Sequence, residues 1–206
     1  MNNRQKKKRM KLRNKKLIKE YPFLLPRNVW TDKIPDDYNY DYTRYDEIPA
    51  GWRRAFGNEL LKELKESLVK HNCLDEFRFS QIKEKYGTLR LYNFGAPQET
   101  HEIIRKYEFI SGYVCIRCGR PDVSIIDNYG WYEPICECCY NRRLKDREKR
   151  GWKIVPYEDL IDEKDSNIPL SYSIETYSNG RDTTITYDIS ETVNKIKAKW
   201  KVKPNV

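Results

Sequence analysis

The strongest periodicity runs through residues 49–71, where Trp52, Phe56, Leu60, Leu64 and Leu68 recur at every fourth position and Lys62, Glu63, Lys65 and Glu66 fall between them. This spacing draws one apolar stripe along a helix and predicts that the stripe is core. The period then changes. Residues 76–83 and 88–94 alternate, Phe77 with Phe79 and Leu89 with Leu91, which predicts two strands joined through Lys85-Tyr86-Gly87. Gly87 supplies the positive φ of a tight turn. A second helix is expected over about residues 98–110, packing through Ile103, Tyr107 and Ile110 with His101 on its surface. Upstream, residues 21–28 are expected to be extended, because Pro22 and Pro26 exclude regular helix.

Toward the C-terminus, residues 172–178 and 181–189 flank Asn179-Gly180, a strong hairpin signal that calls for a type I′ turn. A two-residue turn pairs Thr176 with Thr183, Ile174 with Ile185 and Tyr172 with Tyr187 on one face, so turn chemistry and apolar pattern agree. Val193, Ile196 and Trp200 on a closing helix are placed to cover that face, leaving Lys195, Lys197, Lys199, Lys201 and Lys203 in water. No repeat relates this part to the rest.

Between the two patterned regions lie Cys115-Ile116-Arg117-Cys118 and Cys136-Glu137-Cys138-Cys139, two Cys-x2-Cys turns separated by seventeen residues. This is the ligand spacing of a zinc ribbon. Two such turns aim four thiolates at one point and close a tetrahedral shell, leaving no position for a reactive water, so the expected Zn2+ is structural. Cys138 is an alternative fourth ligand, but only Cys139 restores the x2 spacing; a disulfide or free-thiol cluster is the other reading of the same residues. Residues 123–126 and 131–135 are strand-like around the turn-like Asp127-Asn128-Tyr129-Gly130, so a small hairpin is expected to bridge the knuckles.

The predicted fold class is therefore α+β: a small helix-plus-hairpin core, an inserted zinc ribbon and a C-terminal β-hairpin and helix. The expected division is a basic flexible arm at 1–20, the α+β core at 21–112, the ribbon at 113–145 and the extension at 146–206. A chain of 206 residues, 38% hydrophobic and 13% aromatic, has enough apolar surface for one moderate domain and a small module. No stretch reaches the length of a membrane span and the N-terminus lacks the apolar core of a signal peptide. Cysteines at metal spacing, with Cys73 left over, suit a reducing cytoplasm.

Charge changes the picture only when it is located. The chain carries +9, yet residues 1–19 hold ten Lys or Arg and no acid, which leaves 30 basic against 31 acidic residues in the body. The polycation is thus one segment, and Lys6, Lys7, Lys8, Arg9, Lys11 and Arg13 are candidate phosphate contacts, acting by counterion release and without sequence preference. A solubilising tail, or an arm that docks on an acidic protein, fits the same composition. The second candidate is a helix over 141–151 leaving the second knuckle, with Arg142, Arg143 and Lys145. Arg78, Lys83, Lys85 and Arg90 beside Tyr86 and Tyr92 form a further basic and aromatic pattern, readable as a single-strand platform or as the solvated face of a sheet.

Residues 36–47 interleave Tyr38, Tyr40, Tyr42 and Tyr45 with five acids and one base. That opposes phosphate and suits a protein-contact surface, or a loop whose rings lie on the core. An acidic stretch, Glu158, Asp159, Asp162, Glu163 and Asp165, reads as loop. Catalytic patterns are lacking: there is no Gly-rich phosphate loop, Cys–His pairing or placeable metal-nuclease motif, so the protein is read as non-enzymatic, without a small-molecule substrate.

Tyr21-Pro22-Phe23-Leu24-Leu25-Pro26-Arg27, Pro49-Ala50-Gly51-Trp52-Arg53-Arg54-Ala55-Phe56-Gly57, the run from Ile82 through Lys85-Tyr86-Gly87-Thr88 to Tyr92, and the paired cysteines with Gly130-Trp131 between them resemble an uncharacterised family of phage and prophage proteins with a terminal zinc ribbon. The resemblance covers about residues 21–140. It implies a phage accessory gene acting in the cytoplasm of a bacterial host and supports the four zinc ligands; it implies no catalytic residue. The basic arm and the extension beyond Cys139 depart from the family pattern. Two functions are expected: binding of nucleic acid or a host nucleoprotein complex through the basic segments, or inhibition of a host defence system, anti-CRISPR-like, by protein contact through the tyrosine loop or the C-terminal hairpin.

Overall fold

The computed structural model describes residues 2–127, 130–151, 155–161, 166–178 and 181–201. The expected turn residues Asn128 and Tyr129, the Asn179-Gly180 turn, the acids Asp162, Glu163 and Asp165, and Lys203 lie outside them.

The chain is α+β, with helices α1 (Asn3–Glu20), α2 (Ala50–Trp52), α3 (Asn58–Lys70), α4 (Gln98–Ser111), α5 (Glu137–Glu148) and α6 (Ser190–Lys201). Strands β1 (Arg78–Lys85), β2 (Thr88–Phe94), β3 (Ile125–Asp127), β4 (Tyr132–Pro134), β5 (Ser171–Ser178) and β6 (Arg181–Asp188) pair as three separate antiparallel hairpins.

The periodic stripe is the centre of the core: Trp52, Phe56, Leu60, Leu64 and Leu68 are all fully buried. A strict four-residue repeat drifts around a helix of 3.6 residues per turn. The wide π turn Arg53–Gly57, which links α2 to α3, slows that drift where Trp52 and Phe56 must face the same side. In the β1–β2 hairpin the turn is Tyr86-Gly87, both at positive φ (+53° and +76°), as a type I′ connection requires. On α4 Ile104, Tyr107 and Ile110 are buried, and Ile103, expected to pack, lies half-buried against the same core; Thr100, also buried, meets Ser67 at 2.8 Å. The segment expected to be extended begins as a short 3-10 turn, Pro22–Leu24, with Pro22 at its first position, where a missing N–H costs nothing. Phe23 packs edge-on against Phe77 and Phe79.

The segment expected to be a flexible arm is a helix docked on the body. Asn2 caps α1 reciprocally with Gln5. Leu17 and Ile18 pack on the core. Asn14, fully buried, donates from Nδ2 to the Tyr40 carbonyl at 2.9 Å, while Lys11 pairs with Asp41 at 3.1 Å and Arg13 with Asp46 at 2.5 Å. The acidic loop 36–47 is therefore the intramolecular partner of the basic segment, and charge complementarity explains the ordering.

The C-terminal hairpin has the expected register, Tyr172 opposite Tyr187, Ile174 opposite Ile185 and Thr176 opposite Thr183. The hairpin, through Tyr172 and its flanking residues Ile168 and Ile189, and α6, through Val193 and Ile196, share the main core with the preceding helices. Lys197 and Lys199, expected in water, are ion-paired to Asp122 (2.9 Å) and Glu59 and clamp α6 to the rest. A second, smaller core of Cys115, Val123, Ile126, Ile135, Cys136 and Tyr140 belongs to the cysteine module. Residues 155–161 wrap it: Tyr140 Oη donates to the Val155 carbonyl and Tyr157 Oη to that of Ile135, each at 2.8 Å.

Candidate functional site

Cys115 and Cys118 lie in the turn after α4, and Cys136 and Cys139 at the start of α5, with Cys136 as its N-cap. Their sulfur atoms all fall within 4.8 Å of one another, and the Cys118 and Cys136 sulfurs are 3.6 Å apart. None is in a disulfide. Cys138 is exposed and outside the group, which resolves the choice of fourth residue in favour of Cys139. Four thiols so close cannot all ionise when protons are the only cations present. Hydrogen bonds from Cys118 and Cys136 hold the Cys115 thiol far below its ordinary value, the contacts with Cys115 and Cys118 push Cys136 up, the contact with Cys115 pushes Cys118 up to about 12, and burial pushes Cys139 up to about 12. A bound divalent cation removes that restriction and favours four thiolates. The four sulfur atoms are close enough to hold one metal ion with sulfur as the only donor.

What positions the first knuckle lies far away in sequence. Gly51 N donates to the Ile116 carbonyl at 2.9 Å, Trp52 Nε1 to the Val114 carbonyl at 2.8 Å and Arg54 Nη1 to the Cys118 carbonyl at 3.0 Å. A Cβ on Gly51 would meet the Ile116 carbonyl at 2.6 Å, and one on Gly119, whose φ is +82°, would meet the Gly51 carbonyl at 2.6 Å. The glycine-containing start of the core helix is thus a seat for the metal turn. A glycine one step into a strong helix pattern was the available signal for it.

The sequence-predicted cations separate into two groups. Lys11 and Arg13 are occupied in docking α1, whereas Lys6, Lys7, Lys8 and Arg9 are exposed on its N-terminal half. Arg4, Lys7, Lys8, Lys11 and Lys15 line a groove of about 620 Å³ closed by Asn39 and Tyr40, with Lys15 over the Tyr40 ring at 5.0 Å. On α5, Arg142 and Lys145 are exposed, but Arg143 is structural: it donates to the nearly buried Glu133 and lies over the Tyr140 ring at 5.3 Å. Arg117 approaches Glu133 at 3.5 Å. Glu133 went unnoticed in the sequence because one acid in a three-residue strand carries no periodic signal.

The four loop tyrosines also divide. Tyr45 is buried over Gly57 and belongs to the core, not to a contact surface. Tyr38 packs between Tyr40 and Tyr42 at 5.2 and 5.8 Å and donates from Oη to the Tyr42 carbonyl at 2.6 Å. Tyr42 remains exposed, while Tyr40 faces α1. Of the hairpin cations, Arg78 pairs with Asp32, ahead of the tyrosine loop, at 3.4 Å, whereas Lys83 and Lys85 lie over the rings of Tyr92 and Tyr86. Among the described residues no helix is long and apolar enough to cross a membrane. Comparison of the chain with protein-family models, with curated proteins and with solved structures found no match.

Proposed function

We propose that this is a non-enzymatic nucleic-acid-binding protein, phage-encoded by the resemblance of its core motifs, whose four cysteines hold one structural Zn2+. The reading is carried by the N-terminal half of α1, where Arg4, Lys6, Lys7, Lys8 and Arg9 are exposed with no acid among them. Arg4 and Lys6, in the first turn, oppose the macrodipole by roughly 0.3–1 kcal/mol each, and the like-charge pair Arg4/Lys8 adds to the cost. Phosphates reverse the sign of both effects and release counterions as they bind. For the metal, tetrahedral sulfur ligands about 2.3 Å from zinc stand about 3.8 Å apart, a spacing compatible with the 3.6 Å between Cys118 and Cys136. An all-sulfur closed shell holds structure and presents no water.

Equilibrium binding to duplex and single-stranded oligonucleotides across a salt series tests the reading. Replacing Lys6, Lys7 and Lys8 by Ala should flatten the slope of log affinity against log salt by about 2 to 3. An unchanged slope would refute the role of α1. Metal analysis of protein purified under reducing conditions should give one zinc per chain, lost in Cys115→Ser. Retention of a host protein complex after nuclease treatment would instead support the inhibitor function.

A further inference from the structure

Two hairpins that are distant in sequence meet at Gly87. A Cβ at this position would approach Ile125 at 3.0 Å, so the tip of the β1–β2 hairpin rests directly on β3. The contact sets Tyr86 beside Tyr132, with ring centroids 6.4 Å apart in an edge arrangement. Tyr86 is 67% exposed and Trp131, the residue before Tyr132, is 71% exposed. Tyr86 and Tyr132 thus form an exposed ring pair at the junction, and Trp131, the next residue along the chain, adds a third solvent-exposed ring. Lys85 sits over Tyr86 at 5.2 Å and Lys83 over Tyr92 at 5.3 Å, so ammonium groups flank the aromatic row.

Tyr132 also borders a cavity of about 1100 Å³ between β2, α4, β3 and β5, whose walls include Phe109 and Tyr172, stacked at 4.9 Å. Arg90 and Arg105 line it, but so do Glu108, Asp127 and Asp159. Glu108 accepts from the Leu91 N–H and Asp127 from the Gly130 N–H, each at 2.7 Å. Burial raises the Glu108 carboxyl above its ordinary range. With its charges close to balance and its walls partly aromatic, the cavity suits a flat neutral group with donors and acceptors better than a phosphate. Lys83 and Lys85, held over the Tyr92 and Tyr86 rings, stand outside it on the hairpin.

We propose that this junction binds single-stranded nucleic acid: phosphates track Lys83 and Lys85, unpaired bases stack on Tyr86, Trp131 and Tyr132, and one unstacked base enters the cavity. The inference rests on the nucleic-acid reading above and sharpens it, because exposed π faces serve bases only when they are free of a duplex. Charge and ring geometry divide the labour. The cationic half of α1 adds affinity for any polyanion, and the junction supplies preference for a single strand.

The test measures binding of the full-length, metal-loaded protein to labelled single strands of about 16 nucleotides, oligo-dT and oligo-U in separate arms, and to a duplex of equal length at one salt concentration. Wild type should prefer the single strand. Trp131→Ala and Tyr132→Ala should each weaken single-strand binding by about tenfold while leaving duplex affinity, metal content and Tm unchanged. Trp131→Phe should restore most of the affinity, since a ring still stacks. Equal affinity for single strand and duplex, with Trp131→Ala inert, would overturn the junction and leave the α1 reading intact. Failure to bind either ligand would remove both.

Discussion

Gly51→Ala gives the sharpest test of how the metal turn is held, because local and tertiary reasoning predict opposite signs. In a helix, Ala is favoured over Gly by roughly 0.5–1 kcal/mol, so propensity alone predicts stabilisation. In the folded protein the added methyl would lie inside van der Waals contact with the Cys115 carbonyl and 2.6 Å from the Ile116 carbonyl, all backbone atoms that no rotamer change can move aside. Overpacking of this kind costs about 1–3 kcal/mol. Pushing the strands of contact apart also stretches the Gly51-to-Ile116 hydrogen bond, worth about 1 kcal/mol. Subtracting the propensity gain leaves a net loss of about 1–3 kcal/mol, or an apparent Tm lowered by roughly 3–10 °C for a chain of this size. Circular dichroism melts of metal-loaded wild type and variant measure it, and faster metal loss to a chelator should accompany the shift, since Cys115 rides on the displaced turn. A variant as stable as wild type, or more so, would refute the claim that Gly51 seats the knuckle.

Asn14→Ala removes the donor to the Tyr40 carbonyl, costs about 1–3 kcal/mol for the unsatisfied group and should loosen α1, seen as faster tryptic cleavage within residues 4–16 with the core intact. Arg143→Met leaves the nearly buried Glu133 only its longer contact with Arg117 and should destabilise the cysteine module by about 1–3 kcal/mol in urea melts, with duplex affinity unchanged at fixed salt; Lys145→Ala should do the reverse. Burial, with the adjacent tyrosines and acids, pushes the Tyr38 phenol up to about 12. A pKa raised by folding gives stability that is complete below about pH 10 and is lost as pH rises through 12, so Tyr38→Phe should flatten the fall in stability across that window, read by denaturant melts at stepped pH.

Much of this molecule was written locally. The four-residue stripe, the Asn179-Gly180 signal and the x2 cysteine spacing each encode geometry within a few positions of themselves, so the core helix, the register of the C-terminal hairpin and the cysteine cluster were legible from the chain, whereas the shift in β1–β2 pairing between Phe79 and Gln81 was not. The sequence likewise located the polycation and the acidic tyrosines but could not show that they face each other. Attraction between residues about thirty positions apart depends on where the chain returns, and only the folded structure joins Lys11 to Asp41 and Arg13 to Asp46. The same holds for Arg143, a phosphate candidate by composition that is claimed by Glu133, and for Tyr45, one tyrosine of four that the core absorbs. Gly87 shows both levels at once. Its turn was readable from neighbours, while its fit against Ile125 was not, because backbone conformation is a local property and the space available to a missing Cβ is set by whatever the fold brings against it.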